Sequence, residues 1–210
     1  MDPRSRRLTW IAGLAAAGTF LVGSGIWGFD QPNAGASAEE ILEFYSDTST
    51  RIVIGGTLSL VAIALFTIFA SGMRLILREH DVDDLFGLTA FGGMLLLLAA
   101  GMGAETINMV GAMRAADDDL SAEFGRSVFE ISYVLGYNAA GLGAGIALLG
   151  LAGAGWRSPG FLPGWAAPVL AVVGLLLMTP LSVYLFGPAV VVFVIVAGRA
   201  AVRAPSARPR

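Results

Sequence analysis

Cysteine and lysine are absent from this chain of 210 residues, and histidine occurs once, as His80. Without cysteine there is no disulfide scaffold, thiolate zinc site, iron–sulfur cluster or cysteine nucleophile. A single histidine excludes bis-histidine haem ligation and leaves no His–Ser dyad. The signature motifs of zinc proteases, P-loop NTPases and serine hydrolases are missing, as is a basic surface for nucleic acid. The sequence therefore predicts a protein that is not an enzyme, with no cofactor, no metal site and no nucleic-acid partner.

Charge is also scarce. Only 14% of the residues are charged and 56% are hydrophobic, whereas a soluble domain carries about 25% charged residues. The mean hydropathy of +0.74 agrees with this imbalance. The composition predicts an integral membrane protein whose first partner is the lipid bilayer.

The apolar runs predict the number of membrane spans. A helix needs about 20 mostly apolar residues to cross roughly 30 Å of hydrocarbon. The final run, 165–198, is too long for one crossing, and Pro180 near its midpoint favours a turn there. We expect one all-α membrane domain, residues 1–210, of six transmembrane helices in three hairpins. The expected spans are 8–28, 52–77, 86–113, 128–156, 165–179 and 181–198.

Arginine predicts the orientation, because cytoplasmic loops carry an excess of basic residues. With both termini cytoplasmic, ten arginines lie inside and only Arg51, Arg114 and Arg126 lie outside. We therefore expect a multi-pass protein of the plasma membrane with cytoplasmic termini. A signal peptide is the alternative interpretation of the first run, although 21 apolar residues exceed the usual length of about 7–15. The ten inner arginines are Arg4, Arg6, Arg7, Arg74, Arg78, Arg157, Arg199, Arg203, Arg208 and Arg210.

The first outer loop contains a helix signal. Ser37 and Glu40 have the spacing of a capping box. Segment 38–46 then places apolar residues opposite acidic ones, which predicts a short amphipathic helix. Two interpretations stay open, a loop anchored by two buried aromatic residues and a lid or docking surface over the bundle.

Polar residues inside two apolar runs mark a candidate site. Ionisable groups in a span are costly and usually face the bundle interior or a water-filled cavity. Counted at 1.5 Å per residue from the inner ends of the two runs, these polar residues lie near the outer edge of the hydrocarbon. They predict an outward-facing pocket between the third and fourth spans, for a cationic or hydrogen-bonding small molecule or a lipid headgroup; a purely structural polar contact is the alternative. The candidate residues are Glu105, Asn108, Glu130, Tyr133, Tyr137 and Asn138, with Arg51 and Arg126 as counter-charges.

Small residues at four-residue spacing predict close helix contacts. Gly141 and Gly145 form one such pair, and Gly55 and Ser59 form another. The spacing alone does not separate packing within the chain from a homo-oligomer.

One stretch resembles a known family. Phe44, Tyr45 and Asp47 are followed by Arg51 and Gly55, and Leu162-Pro163-Gly164-Trp165 precedes the last apolar run. These features resemble six-helix membrane proteins of actinobacteria, a family without a known activity. The resemblance implies the six-helix fold and a bacterial cell membrane, and it transfers no site residues.

These observations favour a non-enzymatic membrane protein that binds a small molecule, a lipid or a protein partner through the outer pocket. The alternative is a small permease or transporter subunit that acts as an oligomer.

Overall fold

The chain folds into helices throughout the described residues. The computed structural model describes residues 1–80, 84–158 and 160–202, and this part of the chain is all-α. A short 3-10 turn, Gly28–Asp30, follows the first helix. The helices are α1 Pro3–Trp27, α2 Ala38–Glu79, α3 Asp84–Ala116, α4 Ala122–Tyr133, α5 Ala140–Arg157, α6 Ala166–Leu177 and α7 Ser182–Val202, and a π-helical segment, Val134–Ala139, joins α4 to α5.

Four of these helical stretches in the described chain are long and apolar enough to cross a membrane. The chain is a helical membrane protein, as its composition predicts. Helix α6 is apolar but has only 12 residues, or about 18 Å of helix. The four long stretches are Pro3–Asp30, Ala38–Glu79, Leu85–Ala116 and Ala122–Arg157.

The amphipathic segment 38–46 is the beginning of α2. The predicted capping box is confirmed, since Ser37 Oγ accepts from the Glu40 amide and the Glu40 carboxylate accepts from the Ser37 amide. No glycine or proline separates this segment from the second apolar run, so the helix continues for 42 residues. Segment 38–46 is therefore not a separate surface helix.

The helices form a ring. Helix α1 packs on α2, α2 on α3, α3 on α5 and α5 on α6, and α7 returns to contact α1. Near the end of α7, Gly198 lies against the indole of Trp10, so this part of α7 lies beside the first turns of α1.

Glycines set the closest helix contacts. A Cβ at Gly145 would lie 2.6 Å from the Gly174 carbonyl oxygen, and one at Gly141 would lie 2.8 Å from Ser182 Cβ. The predicted glycine pair therefore packs against α6 and α7 of the same chain. Gly93 of α3 and Gly143 of α5 approach each other in the same way, backbone against backbone. Such contacts hold membrane helices together through van der Waals packing.

The two ends of the bundle differ in charge. At the end we call arginine-rich, Glu79 pairs with Arg6 and with the amino terminus. At the opposite, acidic end, Arg51 pairs with Asp30 at 2.7 Å. The predicted inner arginines Arg203, Arg208 and Arg210 lie outside the described residues.

Helices α2, α3 and α4 extend toward the acidic end beyond the length that a bilayer needs. The 42 residues of α2 make a helix about 63 Å long, against about 30 Å of hydrocarbon. The extensions pack around their own apolar core, separate from the core of the ring. This distal cluster comprises Ala36, Ile41, Phe44, Tyr45, Ile52, Ala112, Ala115, Leu120, Val128 and Phe129.

Adjacent glycines on α3 test the packing. Gly93→Val would force side-chain atoms into the backbone of α5, whereas a Cβ at Gly92 meets nothing within 4 Å. We expect Gly93→Val to destabilise the fold by about 1–3 kcal/mol or more, and to lower the melting temperature followed by tryptophan fluorescence. Gly92→Val makes the same change in helix propensity, and we expect its melting temperature to be close to that of the wild type. An equal loss of melting temperature in both variants would contradict the backbone contact between Gly93 and α5.

Candidate functional site

A cavity of about 150 Å³ lies inside the ring. It is bounded by α1, α2, α3 and the stretch from the end of α4 through the π segment to the start of α5, and α7 contributes only Val190. Helix α1 makes no extensive contact with α3, α4 or the π segment in the described chain. The cavity is the space between α1 on one side and α3, α4 and the π segment on the other.

The cavity is polar toward one end and apolar toward the other. Its α3 wall runs from Leu97 to Asn108, eleven residues or about 16 Å along the helix. Glu105 and Asn108 lie near the acidic end of this wall. The opposite part of the cavity has only apolar walls, formed by Ala16, Ala17, Ile63, Phe66, Leu97, Leu98 and Val190.

Glu105 is the one acidic residue that lines the cavity in the described chain. Its Oε2 is buried and has no hydrogen-bond partner within 3.5 Å, and no salt bridge to it occurs among the described residues. The Ser59 hydroxyl is close enough to act on this carboxyl group electrostatically, yet its Oγ also lacks a partner within that distance. Trp27 Nε1 is a third such atom on the cavity wall. Buried polar groups are normally hydrogen-bonded, so this concentration distinguishes the site.

Asn108 is held in place from the distal cluster. The hydroxyl of Tyr45 on α2 donates to Asn108 Oδ1 at 2.8 Å, and both side chains are buried. Phe44 and Phe129 pack edge-on near this bond, with the Phe44 ring centroid 5.5 Å from that of Tyr45 and 6.4 Å from that of Phe129. The extensions of α2 and α4 thus fix the polar end of the cavity.

The π segment shapes the remaining wall. Tyr133 ends α4, Tyr137 lies within the segment, and their ring centroids are 4.7 Å apart. Tyr137 donates to Gln31 Oε1 at 3.0 Å, a bond that joins this wall to the chain just after α1. Short π segments inside α-helices occur often at functional sites.

No known protein family, curated protein or solved structure matches this chain significantly. The interpretation of the site therefore depends on its own geometry. The described residues also contain no group of three His, Asp or Glu side chains that could hold a metal ion.

The structure brings four of the six sequence candidates together, namely Glu105, Asn108, Tyr133 and Tyr137. It leaves Glu130 and Asn138 outside the cavity, and both are exposed. Glu130 lies two residues, or about 200° around the helix, from Ser132, which does line the cavity.

The two proposed counter-charges also lie away from Glu105. Arg126 pairs with Glu130 one turn along α4, at 2.7 Å. Arg51 pairs with Asp30 instead. Both pairs are exposed, so neither arginine compensates the acid inside the cavity.

Sequence reasoning missed the walls contributed by α1 and α2. Trp27, Gln31 and Ser59 line the cavity, although the predicted pocket involved only the third and fourth spans. Ser59 stood out in the sequence only as a small residue for packing. The positions of Trp27 and Gln31 depend on how α1 lies against the rest of the ring, which no local pattern encodes.

Removing one hydroxyl tests the support of Asn108. Tyr45→Phe would leave the buried Asn108 carbonyl without its donor, and we expect a loss of about 1–3 kcal/mol in unfolding free energy. Tyr184→Phe is the matched control because Tyr184 is 78% exposed. Thermal unfolding in detergent measures both variants. A Tyr45→Phe protein as stable as the control would show that the bond contributes little.

Proposed function

We propose that this chain is a non-enzymatic membrane protein that binds a small molecule in the cavity beside Glu105. The observation that carries the proposal is the Glu105 carboxyl group, which lines the cavity without an ion-pair partner in the described chain. A carboxylate away from water is costly unless it is paired. A molecule that presents a cationic or hydrogen-bond-donating group therefore gains affinity from this position.

The apolar part of the cavity supports binding over transport. Conduction of a polar solute calls for polar groups at several depths. The described walls nearest the arginine-rich end offer alanine, leucine and phenylalanine side chains instead. A small permease or an oligomeric transporter subunit is therefore the weaker of the two functions.

Native mass spectrometry of the protein, purified in mild detergent, tests the binding function. We expect a stoichiometric adduct on the wild type that is lost in Glu105→Gln, because the substitution removes the charge and keeps the shape. Glu130→Gln is the control, since Glu130 is exposed and paired with Arg126. It should keep the adduct. A folded wild type without any adduct, or an adduct that Glu105→Gln retains, would contradict the proposal.

We further propose six membrane spans, with both termini in the cytoplasm and the acidic end outside the cell. The excess of arginine at the other end supports this orientation. The α6–α7 hairpin, whose second helix ends beside α1, supports an even number of crossings. The resemblance to six-helix membrane proteins of actinobacteria agrees with a bacterial plasma membrane.

The absence of cysteine makes this topology easy to test. Single cysteines at two exposed positions, Asp119→Cys and Arg4→Cys, mark the acidic and arginine-rich ends. A membrane-impermeant maleimide should label Asp119→Cys in intact cells, and should label Arg4→Cys only after the cells are opened. The reverse pattern would overturn the orientation.

A further inference from the structure

The ring of helices around the cavity is open on one side near the acidic end. Helix α7 begins at the level of Gly141, where a Cβ would lie 2.8 Å from Ser182 Cβ. Gly141 is five residues, or about 7 Å, closer to the arginine-rich end than Gly136. Gly136 faces Ala104, the neighbour of Glu105. The first turns of α7 therefore do not cover the level of Glu105.

Only side chains bridge this opening. Helix α1 and the π segment lie on its two sides, and they are joined by the hydrogen bond from Tyr137 to Gln31. The first two turns of α7 contribute nothing to the cavity wall among the described residues. By helix rise the opening is about 28 Å from Phe86, which is the level at which we expect the outer edge of the hydrocarbon.

The shape of the cavity limits what fits. A volume of 150 Å³ along a length of about 16 Å makes a narrow channel. A cavity of about this volume in a protein core holds one benzene ring. It therefore has room for one alkyl chain of about six carbons and none for the two long chains of a phospholipid.

The walls also select the head group. Glu105 supplies a carboxyl group that can pair with a cation, and the rings of Trp27, Tyr133 and Tyr137 line the same part of the cavity. Aromatic faces and carboxylates both attract ammonium groups. No arginine lines the cavity in the described part of the chain, so an anionic head would find no cation.

We propose that the occupant is a single-chain amphiphile with a cationic amine head, which reaches the cavity sideways from the bilayer. The amine lies beside Glu105, and the short alkyl chain of the ligand extends toward Phe66 and Val190. This inference rests on the proposed binding function and names its ligand class.

Hexylamine, propylamine and hexanol are the probes, titrated into detergent-purified protein and counted as bound adducts by native mass spectrometry. Wild type should bind hexylamine about tenfold or more tightly than hexanol, because only the amine pairs with the carboxylate. Glu105→Gln should remove this preference and Glu130→Gln should keep it. Equal binding of amine and alcohol by wild type would overturn the proposal.

A second pair of variants tests whether the alkyl chain of the ligand lies in the apolar end of the cavity. Ala17 is buried and lines the apolar end, whereas Ala15 of the same helix is exposed. Ala17→Leu should weaken hexylamine binding about tenfold while binding of the shorter propylamine is unchanged, and Ala15→Leu should alter neither. If Ala17→Leu leaves hexylamine binding intact, the alkyl chain does not occupy the cavity.

The two proposals fail in different ways. A native adduct that depends on Glu105, together with no saturable hexylamine binding, would leave the binding function standing and reject the amphiphile. A wild type that shows neither a native adduct nor saturable binding of any probe would reject both.

Discussion

Close backbone contact between glycine-bearing helices is the constraint on which this structure depends. In lipid, helices gain little from the hydrophobic effect and associate through packing. Gly93 and Gly143 bring α3 against α5, and Gly23 and Gly55 bring α1 against α2. These contacts fix two tight pairs. The cavity lies between these two pairs, with Ala16 and Ala62 on the wall formed by α1 and α2, and Ala104 and Ala140 on the wall formed by α3 and α5.

The polar end of that cavity depends on the part of the protein beyond the ring core. Asn108 is fixed by Tyr45, which belongs to the distal cluster of α2, α3 and α4. The cluster is apolar and stacks aromatic rings, so it orders the ends of three helices at once. A rigid distal cluster keeps a costly carboxyl group beside the cavity without a neutralising arginine. Packing of the distal cluster thus positions the polar end of the candidate site.

The short α6–α7 hairpin gives the site its access. A complete ring of full-length helices would enclose the cavity, but α7 starts about 7 Å short of Glu105. One hydrogen bond between Tyr137 and Gln31 crosses the resulting opening. The carboxyl group, the apolar part of the cavity and this opening are the three features on which the proposed amphiphile ligand depends.

By itself, the sequence determined the all-α class, the long apolar helices and the capping box at Ser37, and it predicted a group of six polar residues that includes Glu105, Asn108, Tyr133 and Tyr137. These follow from local composition and from the helical period, which act over a few turns. Only the tertiary structure decided that Glu130 faces away and that Trp27 and Ser59 complete the cavity. These facts depend on how helices distant in sequence rotate and pack against one another, because glycine contacts and a π segment set that rotation.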